Sequence, residues 1–242
     1  MKQVFFKNPL AVEAKMNSPS NKKLSVSVLA RLAFAVPVVG LFLFLPAGTL
    51  RYWQAWMYLG TLFIPMFFVF GYLLKNDPDL LERRMHTKEK ETRQNQILKL
   101  GYPLFIAAFI LPGFDIRYGW SNMPAILSIL ADIAVFAGYI LFFFVLRENS
   151  YASRVIEVEQ DQKVISTGPY ALVRHPMYLG VLLMYVFSPL ALGSWWALLP
   201  AASIVFVLVA RIKNEEEVLL QNLPGYAEYR QKTRYRIIPW VW

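Results

Sequence analysis

The chain contains no cysteine and only two histidines, His86 and His175. The first absence excludes disulfides, thiolate catalysis, cysteine-held zinc and iron–sulfur clusters. The second argues against a histidine-rich metal site. Charge is also sparse. Charged residues make up 17% of the 242 positions and hydrophobic residues 57%, above the usual apolar share of a soluble domain. No Gly-x-Gly-x-x-Gly follows a strand-like run, so no Rossmann nucleotide domain is expected.

What the chain has instead is apolar length. Six runs can be drawn, at 26–45, 53–74, 97–114, 124–146, 177–190 and 195–210. A helix needs roughly 20 apolar residues to cross a hydrocarbon core of about 30 Å. The first, second and fourth runs meet that length, and the other three are short. The first run follows Lys2, Lys7, Lys15, Lys22 and Lys23 and ends at "FLFLPAGTLRYW", without a small-x-small cleavage site. It is therefore expected to be a first span and not a removed leader.

The last two runs cannot form one helix, because a helix over 177–210 would be roughly 50 Å long. Pro189 and Gly193 interrupt it within "SPLALGSWW". A helical hairpin turning at 188–194 is the expectation, with Trp195 and Trp196 at a membrane interface. The net charge of +9 fits this layout. Lys and Arg gather in 75–99, in 147–174 and from Arg211 onward, while Arg51 and Arg117 fall on the other side. Six spans with both termini in the cytoplasm place almost all positive charge inside. Four spans plus re-entrant segments give the same bias. In either case the basic excess reads as topology, and nucleic acid is not expected as a partner. The stretch "KNDPDLLERRMHTKEKETRQ" (75–94) reads as a mixed-charge, partly helical cytosolic loop, and the loop as a whole is taken as 75–96. The chain divides into membrane helices at 1–147 and a chemistry-bearing region at 148–242.

Polar residues concentrate at two places in that second region. "STGPYALVRHPMYLG" (166–180) brings Tyr170, Arg174, His175 and Tyr178 to the mouth of the fifth run, with Pro176 suited to a first helical turn. Interface anchoring alone would account for such a cluster. The second place is Arg211 with Glu215, Glu216 and Glu217, where Arg211 and Glu215 share a helix face. Closing the hairpin brings the two clusters together, so they are read as one site. Asp132, an acid within the fourth run, is a weaker candidate, and His86 reads as solvated.

The order "STGPYALVRHPMYLG", hairpin, "RIKNEEEVLL", "GYAEYRQKTRYRIIPWVW" resembles the isoprenylcysteine carboxyl methyltransferase family over 148–242. That family belongs to a wider group with the membrane phospholipid methyltransferases. The resemblance implies an all-α integral membrane enzyme of about six spans with a cytosolic cofactor-binding tail. Its donor would be S-adenosyl-L-methionine, released as S-adenosyl-L-homocysteine. It further implies that Tyr170, His175, Pro176, Met177 and Tyr178 line the cofactor pocket, that Lys163, Val164 and Ile165 add contacts, and that Glu157 and Glu215 bind the cofactor. Arg211 would face the substrate. Glu216 is grouped with Glu215, and Arg174 or nearby amide groups could take the cofactor's carboxylate. His175 and a glutamate are the bases that an amine or thiol acceptor would need. The partners implied are membrane lipids and a lipophilic or small-molecule acceptor. Two rivals remain: an NADPH-dependent sterol-type reductase with similar Arg-His-Pro-x-Tyr motifs, and a non-enzymatic transporter or scaffold.

Overall fold

The computed structural model describes residues 19–86, 89, 92–156 and 158–242. Lys2, Lys7, Lys15 and Glu157 lie outside the described residues. Within them the chain is all helical. Helices α1 (Pro19–Ala47), α2 (Trp53–Asn76), α4 (Thr92–Tyr118) and α5 (Ala125–Glu148) are each long and apolar enough to cross a membrane. The shortest of these has 24 residues, or about 36 Å at 1.5 Å per residue. Prolines 37, 46, 65, 103 and 112 sit inside them, which membrane helices tolerate when neighbours satisfy the freed carbonyls. The protein is a polytopic helical membrane protein.

Short α3 (Pro78–Met85) occupies the charged loop. Asp77 caps it by accepting from the Leu80 amide at 3.0 Å, and Pro78 fills the first turn. The last two apolar runs form α6 (Pro176–Ala191) and α7 (Leu198–Asn222), joined at 192–197. The helix thus runs through Pro189 before it turns. Gly193 takes the turn at φ 80°, a left-handed conformation that favours glycine. Trp195 and Trp196 are exposed there. Helix α6 has 16 residues, about 24 Å, shorter than the four clear spans. Helix α7 turns polar at Arg211. The chain breaks at Pro224-Gly225 and resumes as α8 (Tyr226–Lys232).

Two features fix the hairpin. At its tip the fully buried Asp115 of α4 accepts hydrogen bonds from Ser194 Oγ (2.5 Å), Ser121 Oγ (2.6 Å) and the Ser121 amide (2.6 Å). Tyr52 Oη donates to the Leu192 carbonyl at 2.5 Å. Along its length α6 presses on α5 through facing glycines. A Cβ on Gly138 would stand 2.8 Å from the Gly180 carbonyl, and a Cβ on Gly180 would stand 2.9 Å from the Gly138 carbonyl. Small residues of this kind let membrane helices approach closely. With tip and flank fixed, the opposite ends of α6 and α7 meet in one place.

Candidate functional site

Three segments build that meeting point. The loop 166–175 ends in Pro176, so α6 begins there with His175 as its N-cap residue. Residues 211–217 continue α7 beyond its apolar part. The tail 233–237 returns to the start of α6, where the Arg174 amide donates to the Tyr235 carbonyl (2.9 Å) and the His175 amide to the Arg236 carbonyl (2.8 Å). Of the amides near the helix start, those of Arg174 and His175 are therefore occupied by the tail.

Tyr178, one turn into α6, links the clusters. Its hydroxyl donates to Glu215 Oε2 at 2.7 Å and accepts from Arg211 Nε at 2.7 Å. Arg211 Nη2 also donates to the Arg154 carbonyl at 2.9 Å. The His175 ring lies between two carboxylates, Nδ1 at 3.8 Å from Glu215 and Nε2 at 3.3 Å from Glu216.

Glu215 and Glu216, adjacent in sequence, do different things. The Glu215 side chain is 24% exposed and borders a cavity. The Glu216 side chain is 5% exposed and receives Arg174 Nε (2.7 Å), His175 Nε2 and Arg236 Nε (2.9 Å). Burial alone would raise the Glu216 carboxyl, but these donors outweigh it and hold it at about 2. Arg174, which the sequence offers to a bound carboxylate, also gives Nη1 to the Thr233 and Arg234 carbonyls at 2.8 and 2.7 Å. Arg174 and Glu216 form a buried strut that ties α6, α7 and the tail together.

The cavity holds about 860 Å³ of empty space, its open mouth included. Of the residues singled out from sequence, Lys163, Val164, Ile165, Tyr170, Arg174, His175, Met177, Tyr178, Arg211 and Glu215 line it. Pro176 and Glu216 do not, since one starts the helix and the other anchors the strut. Glu157 is outside the described residues. Asp132 is remote, in α5, accepting from Thr61 Oγ1 at 2.5 Å. His86 is exposed, as expected.

Other cavity walls escaped the sequence reading. Asn149 and Tyr151 follow the end of α5, and Asn149 Nδ2 donates to Tyr170 Oη at 2.9 Å. Tyr226 and Tyr229 come from α8, with ring centroids 5.9 Å apart. Their i,i+3 spacing in "GYAEYR" is the signal that could have found them. Burial raises the phenols of Tyr170 and Tyr226 and takes Tyr229 up to about 12, so all three are neutral donors at ordinary pH. The Tyr226 hydroxyl is buried with no hydrogen-bond partner among the described residues. An unpaired buried donor in a cavity wall is costly unless something bound there accepts from it.

The floor depends on α3. Arg84 Nη1 donates to the Ala152 carbonyl at 2.8 Å and touches Met177 Sδ at 3.9 Å. Arg83 Nη2 donates to the Ser150 carbonyl at 2.7 Å. Burial, then the charge of Arg154, lowers the Arg84 guanidinium to about 10, which leaves it cationic at neutral pH.

Residues 126–226 match the family model described as phospholipid methyltransferase. The match starts within α5, earlier than the resemblance at 148–242, and stops at Tyr226. Its early start includes Gly138 and the face that α5 gives to α6. Comparison with curated proteins gives no match.

Proposed function

We propose that the cavity holds S-adenosyl-L-methionine, because residues 126–226 match the phospholipid methyltransferase family model and belong to a helical membrane protein. Its methyl group goes to a lipophilic, membrane-partitioned acceptor bearing a carboxylate, amine or thiol. The observation that carries this reading is the Arg211–Tyr178–Glu215 bridge across the hairpin mouth.

The cavity residues suit such a donor. It carries a sulfonium, an ammonium, a carboxylate and hydroxyl-bearing ribose. Glu215, the partly exposed acid, can pair with the ammonium or the ribose hydroxyls. Tyrosine faces attract a cation through their ring quadrupoles, and Tyr170, Tyr178, Tyr226 and Tyr229 all border the cavity. The unpartnered Tyr226 hydroxyl gives a further donor. Lys163, an exposed cation on the wall, can face the carboxylate.

When bound, the cofactor supplies an electrophilic methyl group on a sulfonium sulfur. The protein's part is chiefly positioning. Arg211, held by Tyr178 and the Arg154 carbonyl, presents a planar guanidinium suited to a carboxylate or phosphate oxygen of the acceptor. A carboxylate acceptor needs no base. For an amine or thiol, His175 and Glu215 are the groups able to take the proton. The buried strut of Arg174 and Glu216 keeps this edge fixed. S-adenosyl-L-homocysteine is the co-product.

The test is to incubate purified protein with methyl-labelled cofactor and a cell lipid extract. Label in an extractable lipid or small acceptor, lost in Glu215→Ala, supports the reading. No labelled product from any fraction opposes it.

A further inference from the structure

We propose that the segment 233–242 is an interfacial anchor, seated in the headgroup layer on the site's side of the membrane, with anionic lipid as its partner. The inference is independent of what the cavity binds.

The segment displays an apolar tip. Trp240 is 86% exposed, Val241 75% and Ile238 39%. This tip is a built turn. The amides of Arg236 and Ile237 donate to the Trp242 carbonyl at 2.8 and 3.1 Å, and those of Val241 and Trp242 to the Ile238 carbonyl at 3.2 and 3.1 Å. Ile237 is buried beneath it, and Arg236 lies over the Trp242 ring at 4.9 Å. Trp240 sits at φ 62°, where a bulky side chain is rare. The fold therefore holds the large ring outward.

Depth follows from the backbone. The carbonyls of Tyr235 and Arg236 accept from the amides of Arg174 and His175, directly before α6 starts at Pro176. The tip thus stands close to the level at which an apolar helix begins. Indole rings favour that level of a membrane. The charge of the segment complements an anionic surface: Arg230, Lys232 and Arg234, which precede the tip in the chain, are all exposed. Glu228, on the same short helix, is the exposed acid nearby in sequence. An exposed apolar point with exposed basic residues close by in the chain is the pattern of an interfacial anchor.

The absence of cysteine makes the test direct. A Trp240→Cys variant is labelled with an environment-sensitive fluorophore and placed in nanodiscs of phosphatidylcholine, or of equal phosphatidylcholine and phosphatidylglycerol. Glu228→Cys serves as the comparison. The expected result is blue-shifted emission at 240, protection from acrylamide and quenching by lipids with shallow nitroxides. The protection is greater with phosphatidylglycerol, and this increment is lost when Arg230, Lys232 and Arg234 are changed to Gln. A label at 240 as open to acrylamide as one at 228 overturns the anchor. Equal protection in both lipid mixtures overturns the anionic partner. Protection that rises with protein concentration in detergent assigns the tip to a second copy and overturns the proposal.

Discussion

Tyr178 Oη lies 2.7 Å from both Arg211 Nε and Glu215 Oε2, donating a hydrogen bond to the carboxylate and accepting one from the guanidinium. One phenol thus sets the spacing of a cation and an anion at the mouth of the α6–α7 hairpin. Tyr178→Phe keeps the ring and removes this link. A hydrogen bond to a charged group contributes about 1.5–3 kcal/mol, so kcat/KM for methyl transfer is expected to fall by about tenfold to a hundredfold. Thermal stability in detergent should change little beside that. Unaltered kinetics would show that the bridge does not position the reacting groups.

Glu216 carries the pH prediction. Its folded-state carboxyl, at about 2, lies below the ordinary 4.5. The stabilisation it provides is therefore complete above about 4.5 and is lost as pH falls toward about 2. The difference corresponds to roughly 3 kcal/mol. Glu216→Gln should lower stability at neutral pH by about that amount, since it strips charge from a buried pair. It should also flatten the acid limb over that window, as read by thermal unfolding in detergent at stepped pH. A parallel acid limb in the variant would remove Glu216 from the account.

The α5–α6 contact gives a packing prediction. Gly138→Ala places a methyl group against the Gly180 carbonyl at 2.8 Å, with Met184 Cγ at 2.9 Å. Overpacking of this kind costs about 1–3 kcal/mol. The helices should separate and carry His175 away from Glu215, so both melting temperature and cofactor affinity should drop. Gly71→Ala is the comparison, because a Cβ there meets no neighbour within 4 Å, and it should be neutral in both assays.

How much of this was legible beforehand depends on whether the signal was local. Apolar run length located α1, α2 and α5, and Gly193 marked the hairpin turn, while Pro189 proved to lie inside α6. Placing His175 beside Glu215 followed from closing that hairpin. The division of labour between Glu215 and Glu216 was not legible. It arises from Arg174 and Arg236, which reach Glu216 only after the tail has docked on the start of α6. The same docking occupies the Arg174 and His175 amides. Tyr226 and Tyr229 were missed because their face is set by a short helix beyond Gly225, at φ 83°. The role of α3 beneath the cavity likewise depends on a contact between Arg84 and Ala152 that no local pattern reveals.

The hairpin tip yields a further prediction. Asp115 binds Ser194 and Ser121 at the end remote from the cavity. Asp115→Ala removes the acceptor for the Ser194 and Ser121 hydroxyl protons and for the Ser121 amide, at about 1–3 kcal/mol. Melting temperature should fall, while kcat/KM at a permissive temperature falls less than in Tyr178→Phe. A larger kinetic loss than thermal loss would place Asp115 closer to the chemistry than its position allows.

The central claim is that the cavity between the Tyr178–His175 edge and the Arg211–Glu215 edge binds a charged methyl donor. Isothermal titration of the purified protein with S-adenosyl-L-homocysteine and with NADPH tests it most directly. The account predicts saturable binding of S-adenosyl-L-homocysteine, abolished or strongly weakened in Glu215→Ala, and no heat from NADPH. NADPH binding without a response to S-adenosyl-L-homocysteine, or equal affinity in Glu215→Ala, would contradict it.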